Sequence, residues 1–400
     1  MKDFDIAVIG AGLAGSLAAL RLAALGHGVA LVAPAMGAGD GRTTALMDQS
    51  IAMLRDLGLW DALNGHAAPL ETMRIVDGTG RLLRAPPVSF RASEVGLPAF
   101  GYNIPNAPFL AELDRQVRAT PGIERIEVRL VSLEQAPDAV SLVLGDGTGI
   151  RARLVVGADG RKSALRDLAG IKVSTWTYPQ VALVLNFAHE RPHGNISTEF
   201  HTESGPFTQV PLPGRRSSLV WVLSPADAED KQQLSPDALG LAIETRMQSM
   251  LGKVTVDGTV QAFPLSGMMA QRFGKGRIAL VGEAAHAFPP IGAQGLNLSL
   301  RDSAALGELV AEDSIPADVG DRFDRRRRLD IATRTASVDL LNRSLLSGFL
   351  PVQLARATGL HLLSAVGPLR SIVMREGVEP GGSFRALRES LRERVARKQA

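Results

Sequence analysis

The chain has 400 residues, of which 45% are hydrophobic, and its 44 basic and 41 acidic residues leave a net charge of +3. This length and hydrophobic content are sufficient for two or three domains, and so small an excess of charge does not indicate a nucleic-acid partner. The chain contains no cysteine, which excludes disulfides, thiolate zinc sites, iron–sulfur clusters and a cysteine-linked flavin.

The first predicted unit is a strand, a glycine-rich turn and a helix. The sequence DIAVIGAGLAGSLAALRLAALGHGVALVAP, residues 5–34, has Gly10, Gly12, Ala14 and Gly15 between a buried-type strand and an apolar helix. In the dinucleotide fingerprint the three glycines make the tight turn, let a pyrophosphate approach the backbone and let the helix pack against the strand. The sequence therefore predicts a dinucleotide-binding turn at its start.

The second strand of this unit lacks an expected acidic residue. In the fingerprint, a carboxylate about 20 residues after the glycines binds a ribose hydroxyl. Here the strand ends at Ala33 and Pro34. We therefore expect the ribose to be held by another group, or more loosely.

A second strand–turn–helix unit contains an Asp-Gly pair. In RLVVGADGRKSALRDLAGI, residues 153–171, Asp159 and Gly160 follow an apolar strand and precede a helix with basic residues. The carboxylate can bind a ribityl or ribose hydroxyl. The alternative is an Asx-type turn in which the side chain only caps the following helix.

The third unit, residues 277–302, has the sequence RIALVGEAAHAFPPIGAQGLNLSLRD. Its Gly/Pro-rich turn opens into a helical pattern, and glycines there allow a ligand close to the backbone. Unpaired N–H groups and the helix dipole at Gln294 to Asn297 favour a ring that becomes anionic, such as reduced flavin. The predicted cofactor-binding residues of this unit are Gly282, Glu283, Gly292, Gln294, Gly295, Leu296 and Asn297.

The same turn supplies candidates for the surface that faces the flavin and the substrate, namely Pro289, Pro290 and Gly292. The prolines stiffen the turn. The alternative interpretation is an ordinary strand-to-helix crossover in which these residues only form the turn. For His286 we expect a structural role in the core or at the helix start rather than acid/base catalysis.

The segments between these units predict a second, β-rich part. Runs such as VALVLNF from Val181 and SLVWVL from Ser218 are typical of sheet, and GDGTG at residues 145–149 predicts a hairpin turn. Three histidines lie near one another in sequence, but strand alternation scatters them, so no metal site is predicted. The predicted division is a discontinuous cofactor domain at residues 1–70, 100–178 and 268–345, a β-sheet substrate domain at 71–99 and 179–267, and a helical C-terminal region at 346–400.

The C-terminal part is apolar between residues 340 and 374 and basic at Arg325 to Arg328 and at residues 384–400. Prolines and charges interrupt the apolar stretch too often for it to span a bilayer. One interpretation is docking on a membrane surface or a partner protein. The other is a set of helices packed on the cofactor domain. Because MKDFD runs directly into a strand, we expect no signal peptide and a cytoplasmic location.

The ordered motifs resemble those of the flavin-dependent aromatic hydroxylases of the para-hydroxybenzoate hydroxylase class, and within it the ubiquinone-biosynthesis hydroxylases. The motifs that carry the resemblance span nearly the whole chain: DGRTTALMDQS at residues 40–50, YNIPN from Tyr102, GPFTQVPLP from Gly205, GAQGLNLSLRD from Gly292 and LRSIVMREG from Leu369. One departure is that the family motif Gly-Asp-Ala-Ala-His has Glu283 at its acidic position here.

The resemblance implies an α/β fold with a doubly wound, glutathione-reductase-type FAD domain, an inserted β-sheet and helices at the C-terminus. It implies non-covalent FAD, contacted by Arg42 near its ribose or pyrophosphate, and NADH or NADPH as a transient donor. The reaction implied is addition of dioxygen at flavin C4a and transfer of one oxygen atom to a phenol ring.

The resemblance also implies a polyprenylated phenol as substrate, a multiprotein ubiquinone-biosynthesis complex as partner and peripheral contact with the inner membrane. Two alternatives stay open. One is a related FAD hydroxylase or reductase of another aromatic or isoprenoid substrate. The other is a non-catalytic FAD-binding subunit that acts as a scaffold.

Overall fold

The computed structural model describes residues 1–35, 41–79, 86–289, 294–311 and 314–346. The strands in this part of the chain are β1 Lys2–Ile9, β2 Val29–Val32, β3 Thr43–Met47, β4 Ala68–Pro69, β5 Thr72–Asp77, β6 Val88–Arg91, β7 Gly101–Pro105, β8 Ile123–Ile126, β9 Leu130–Gln135, β10 Val140–Leu144, β11 Gly149–Gly157, β12 Val173–His189, β13 Ile196–His201, β14 Pro206–Leu212, β15 Arg216–Leu223, β16 Val254–Ala270, β17 Gly274–Lys275, β18 Ile278–Leu280 and β19 His286–Ala287. The α-helices are α1 Leu13–Ala24, α2 Asp48–Asp56, α3 Trp60–Asn64, α4 Asn106–Ala119, α5 Ala164–Leu168, α6 Pro225–Gln232, α7 Pro236–Arg246, α8 Gln294–Leu309 and α9 Val319–Leu346. Two predicted site residues, Pro290 and Gly292, and the C-terminal region from residue 347 lie outside the described residues.

A largely parallel sheet forms the first layer. Its strand order is β17-β18-β11-β1-β2-β8, and the strands from β18 to β8 are all parallel. The last four residues of β1 and all of β2 are buried, as expected for a parallel sheet covered on both faces. Helix α1, rich in alanine and leucine, packs against β1 and β2 and contacts α4 and α8.

The turn predicted at residues 145–149 is confirmed. Strands β10 and β11 pair in antiparallel fashion around it, and the N–H of Leu144 donates to the carbonyl of Thr148. Gly147 has a φ of 85°, which side-chain-bearing residues rarely adopt. This hairpin, with β9, extends the parallel sheet on one side.

The second sheet has the order β19-β16-β12-β15-β14-β13-β5-β6. Its pairs are antiparallel except β13 with β5, which joins residues 72–77 to a strand more than 100 residues later. Both runs that predicted sheet, from Val181 and from Ser218, lie in its central strands β12 and β15. Helices α6 and α7 pack on one face and share an apolar core with these strands.

The α/β class with a parallel sheet and a second β-sheet is confirmed by this architecture. The domain boundaries themselves stay a prediction. Strand β12 runs from Val173 to His189 across the proposed boundary at residue 178, and its pairing with β16 shifts register there, between Thr177 and Val181. Among the described residues, no helix has the length and apolar content needed to cross a membrane.

Candidate active site

The three predicted turns lie at one edge of the parallel sheet. Ile9, Gly157 and Leu280 are neighbours in register across β1, β11 and β18. The chain therefore leaves all three strands at the same level, because parallel strands end together at their carboxyl edge. Backbone bonds continue the alignment, since the N–H of Ala158 donates to Ile9 and that of Val281 to Gly157. The structure thus brings together the three segments that the sequence marks separately.

The glycines of the first turn have distinct roles. Gly10 has a φ of 109°, and a Cβ there would lie 2.3 Å from the carbonyl oxygen of Ala158. A Cβ on Gly15 would lie 1.9 Å from the carbonyl oxygen of Gly10, so α1 crosses the turn at backbone contact. A Cβ on Gly12 would meet nothing within 4 Å. Open space therefore faces the residue at the start of α1, where N–H groups point outward.

Asp159 has one occupied and one unoccupied carboxylate oxygen. Its Oδ2 accepts a hydrogen bond of 3.1 Å from the N–H of Leu165, which supports the turn interpretation. Its Oδ1 is buried and has no hydrogen-bond partner in the described part of the protein. The cap of α5 itself is Ser163, whose Oγ accepts from the N–H of Arg166. A buried acceptor without a donor carries a cost of about 1–3 kcal/mol unless a ligand or water pairs with it.

Glu283 begins the next turn and faces solvent. Its side chain is 55% exposed and lies 3.4 Å from Nε of Arg161, which also donates to Oγ of Ser266 in β16. Ion pairs this exposed contribute about 0–1 kcal/mol, so Arg161 does not fix the carboxylate. The Glu283 carboxylate, which is one methylene further from the backbone than that of Asp, is therefore able to leave Arg161 and bind a ligand.

The start of α8 lies beside the first turn at this edge of the parallel sheet. A Cβ on Gly282 would lie 3.2 Å from Cβ of Ala14 and 3.0 Å from Oγ of Ser299, so the first and third turns are in contact through α1 and α8. Gly295 is exposed, and a Cβ there would meet nothing within 4 Å. Leu296 is half-buried against the main core.

The Asn297 side chain connects α8 to the neighbouring elements. Its Oδ1 accepts from the N–H of Met47 at 2.9 Å and from Oγ of Ser50 at 2.7 Å, and its Nδ2 donates to the carbonyl of Ala45 at 2.8 Å. These contacts involve β3, α2 and α8. The side chain therefore supports the geometry of the edge.

Sequence reasoning missed a buried carboxylate behind the third turn. Oδ2 of Asp302 accepts from Nε2 of His286 at 2.6 Å and from the N–H of Gly282 at 3.2 Å. Its Oδ1 accepts from Nε of Arg327 at 2.8 Å. Burial raises the pKa of Asp302, but His286 and Arg327 outweigh it and hold this pKa below its ordinary value. The sequence contained a sign of this burial: Asp302 is four residues from both Leu298 and Leu306 and so lies on the apolar face of α8.

One face of the second sheet is directed towards residues 41–43. Oγ of Thr43 donates to Oγ of Ser218 at 3.0 Å, and the guanidinium of Arg42 lies 5.5 Å from the ring centroid of Phe263. Strand alternation places Val184 and Val220 on the same face as Ser218. Both valines and Phe263 are half-buried. On the side of the sheet opposite α6 and α7, this face combines the apolar side chains of Val184, Val220 and Phe263 with the polar Ser218 and Asn186, and the Arg42 guanidinium lies above it.

Three comparisons with known proteins agree with this geometry. The chain is 35% identical to the ubiquinone hydroxylase UbiL of Rhodospirillum rubrum over 397 residues, covering 94% of this chain and 90% of that protein. It is 31% identical to the 3-demethoxyubiquinol 3-hydroxylase of Escherichia coli, with 92% and 96% covered. The structure of p-nitrophenol 4-monooxygenase PnpA from Pseudomonas putida superimposes with a TM-score of 0.76 at 20% identity, covering 96% of this chain and 98% of that one, which shows a shared fold.

The family described as FAD binding domain matches residues 3–325. This match includes all three turns at the edge of the parallel sheet and the whole second sheet. Because it spans far more than half of the sequence, the chain belongs to the FAD-binding domain family.

Proposed function

We propose that this protein is an FAD-dependent monooxygenase that hydroxylates the aromatic ring of a polyprenylated phenol in ubiquinone biosynthesis. The observation that carries the proposal is the similarity to a ubiquinone hydroxylase over 94% of this chain. A second hydroxylase of a ubiquinol precursor is similar over 92% of it. These two relatives favour hydroxylation of the aromatic ring of a ubiquinone precursor as the reaction.

The residues at the carboxyl edge of the parallel sheet fit FAD. Gly12 leaves room at the start of α1 for a pyrophosphate, and the free Oδ1 of Asp159 is an acceptor for a hydroxyl of the ribityl chain or ribose. The first turn of α8, with Gly295 open to solvent, offers backbone N–H groups to the pyrimidine side of the flavin. When bound, FAD supplies the oxidation-reduction chemistry, with NADH or NADPH as electron donor and dioxygen as oxidant.

The remaining tasks belong to the protein's own side chains. The half-buried face with Val184, Val220 and Phe263 is suited to an apolar aromatic ring and keeps water from it. Arg42 lies above Phe263, at the border between this face and residues 41–43. We place the substrate ring beside Val184, Val220 and Phe263 because these side chains are apolar. The reaction requires no metal and no protein nucleophile.

The lipophilic substrate supports a further part of the proposal, which is peripheral contact with the inner membrane face or with a ubiquinone-biosynthesis complex. A polyprenylated phenol partitions into lipid, so the enzyme must meet it at a surface. In the basic run Arg325 to Arg328 on α9, three arginines are exposed and contribute to such a surface, whereas Arg327 is buried. All four of these arginines make ion pairs with acidic neighbours, so α9 contributes a mixed rather than purely basic surface.

The decisive experiment is mass spectrometry of the quinone lipids of a source strain that lacks this gene. We expect a polyprenyl phenol with one hydroxyl too few to accumulate, and its structure identifies the ring carbon that this enzyme oxidises. Complementation with the native gene should restore the profile. An unchanged quinone profile, together with purified protein that does not oxidise NADH or NADPH in response to phenols, contradicts the proposal and favours the scaffold alternative.

A further inference from the structure

A guanidinium occupies the place where the dinucleotide fingerprint has a carboxylate. The two residues that follow β2 are Ala33 and Pro34, neither of which can bind a ribose hydroxyl through its side chain. Arg125 lies on the adjacent parallel strand β8, where its Cα is the partner of Leu31. Its side chain extends along β2 to the carboxyl end of that strand. In dinucleotide folds this is the position at which the adenosine ribose is recognised.

The Arg125 guanidinium is held only by backbone carbonyls. Its Nη1 donates to Ala33 at 2.7 Å, to Ile126 at 2.9 Å and to Leu31 at 3.3 Å, and its Nη2 donates to Pro34 at 3.0 Å. These bonds fix the plane of the guanidinium against the edge of the sheet. They leave the second hydrogen of Nη2, whose contact with Pro34 is solvent-exposed, available to another acceptor.

The charge of Arg125 is not neutralised by an ion pair among the described residues. Burial lowers its pKa, and the nearby Glu127 and Asp114 act in the opposite direction. Both of these carboxylates are instead bound by Arg118. A guanidinium remains protonated in proteins even when its pKa is lowered. Among the described residues, the ribose end of the groove therefore carries a positive, hydrogen-bond-donating group, where a carboxylate would be negative and would accept hydrogen bonds.

We propose that Arg125 anchors the adenosine ribose of the bound dinucleotide in this protein, in place of the missing carboxylate; this inference rests on the proposed FAD-binding function. A guanidinium can only donate, so the ribose oxygens serve as acceptors. The same arrangement favours an anion on the ribose, because Arg binds phosphate through charge-assisted hydrogen bonds. The ribose end of this groove accordingly prefers a 2′-phosphorylated adenosine nucleotide to the unphosphorylated one.

The test compares two ligands that differ by one phosphate. The full-length chain is stripped of flavin, shown to take up FAD again, and titrated calorimetrically with ADP-ribose and with 2′-phospho-ADP-ribose. We expect native protein to bind the phosphorylated ligand about tenfold more tightly, in line with one charge-assisted contact. In Arg125→Met the two affinities should become equal, and FAD should bind about tenfold more weakly. In protein loaded with FAD the ratio of the two affinities should be the same for the native chain and Arg125→Met, because the groove is filled and only the separate site for NADH or NADPH is left to bind these ligands.

The ratio of the two affinities separates recognition from general damage. Loosening of the sheet edge weakens both ligands alike, so it leaves the ratio unchanged. If Arg125→Met does not fold, Ala33→Glu provides the second variant, because a carboxylate beside Arg125 should neutralise it and abolish the preference. Equal affinities in native protein, an unchanged ratio in the variants, or a ratio that still depends on Arg125 after FAD loading would each contradict the anchoring role of Arg125 in this groove. Native protein that takes up no FAD would instead contradict the proposed function.

Discussion

The Asp302 carboxylate and the His286 imidazole form a buried pair, with 2.6 Å between Oδ2 and Nε2. Asp302 is inaccessible to solvent and His286 is 1% exposed. His286 lies in β19, three residues after Glu283, and its ring stacks on Phe288. Since Asp302 also binds the N–H of Gly282 and the guanidinium of Arg327, one carboxylate joins the third turn to α8 and α9. The expected core role of His286 agrees with this arrangement.

We expect Asp302→Asn to lower the free energy of unfolding by about 2 kcal/mol or more, because it removes the fully buried carboxylate that pairs with Arg327 and leaves this guanidinium with Asp330 alone. The native pKa of Asp302 lies below its unfolded value, so its stabilisation is present above the ordinary carboxyl range and is lost as pH falls through the native pKa. Urea unfolding between pH 7 and pH 3 should therefore show a steep acid loss in native protein and a shallower one in the variant.

The matched control is Asp318→Asn, because Asp318 is 48% exposed and pairs with Arg322 one turn away on α9. An exposed pair of this kind contributes less than about 1 kcal/mol. Equal destabilisation by the two substitutions would mean that burial of Asp302 has no energetic consequence.

The glycines of the first turn separate stability from cofactor binding. Gly15→Ala should destabilise the flavin-free chain, because its Cβ would lie 1.9 Å from the carbonyl oxygen of Gly10. Gly12→Ala should leave the unfolding temperature nearly unchanged, since its Cβ meets nothing and its φ is −71°. We expect Gly12→Ala to reduce FAD content all the same, because the methyl group occupies the space next to the α1 N–H groups.

Gly295→Val tests the third turn in the same way. The valine side chain should cost the free chain less than about 1 kcal/mol but block close approach of the flavin to α8. Gly65→Ala, at an exposed helix end where a Cβ also meets nothing, is the control and should change neither property. A Gly295→Val protein that purifies with full FAD content and activity would exclude this turn from the flavin site.

Glu283→Asp should preserve or tighten FAD binding. The shorter side chain loses a contact with Arg161 that is weak because it is exposed, and it restores the residue usual at this position in the family. Glu283→Gln keeps the length but removes the charge, so we expect it to weaken FAD binding relative to Glu283→Asp. Flavin fluorescence titration of the two variants measures the difference. Complete loss of flavin in Glu283→Asp would mean that the longer side chain is required.

The sequence predicted the segments that share an edge but not the contacts between elements. Glycine spacing and the strand–turn–helix order were enough for the three turns, because parallel strands place their carboxyl ends together. Arg125 could not be predicted, since its role depends on the register of β8 against β2 and on backbone carbonyls rather than on any motif. Arg327 lies 25 residues after Asp302, and only the packing of α9 on α8 reveals their pairing.

The face of the second sheet gives a prediction about the substrate alone. Val220→Trp should fill the apolar surface beside Val184 and raise KM for the phenol by about tenfold or more, because a pocket discriminates by the volume it can accommodate. FAD content should not change, since Val220 is on β15 and not at the edge of the parallel sheet.

Val143→Trp is the control, because it introduces the same side chain at an exposed strand position of the other sheet, where Val143 is 42% exposed. If Val220→Trp leaves KM unaltered, or if both variants raise it equally, the substrate ring does not bind on this face, and the region around Arg42 must then serve another step.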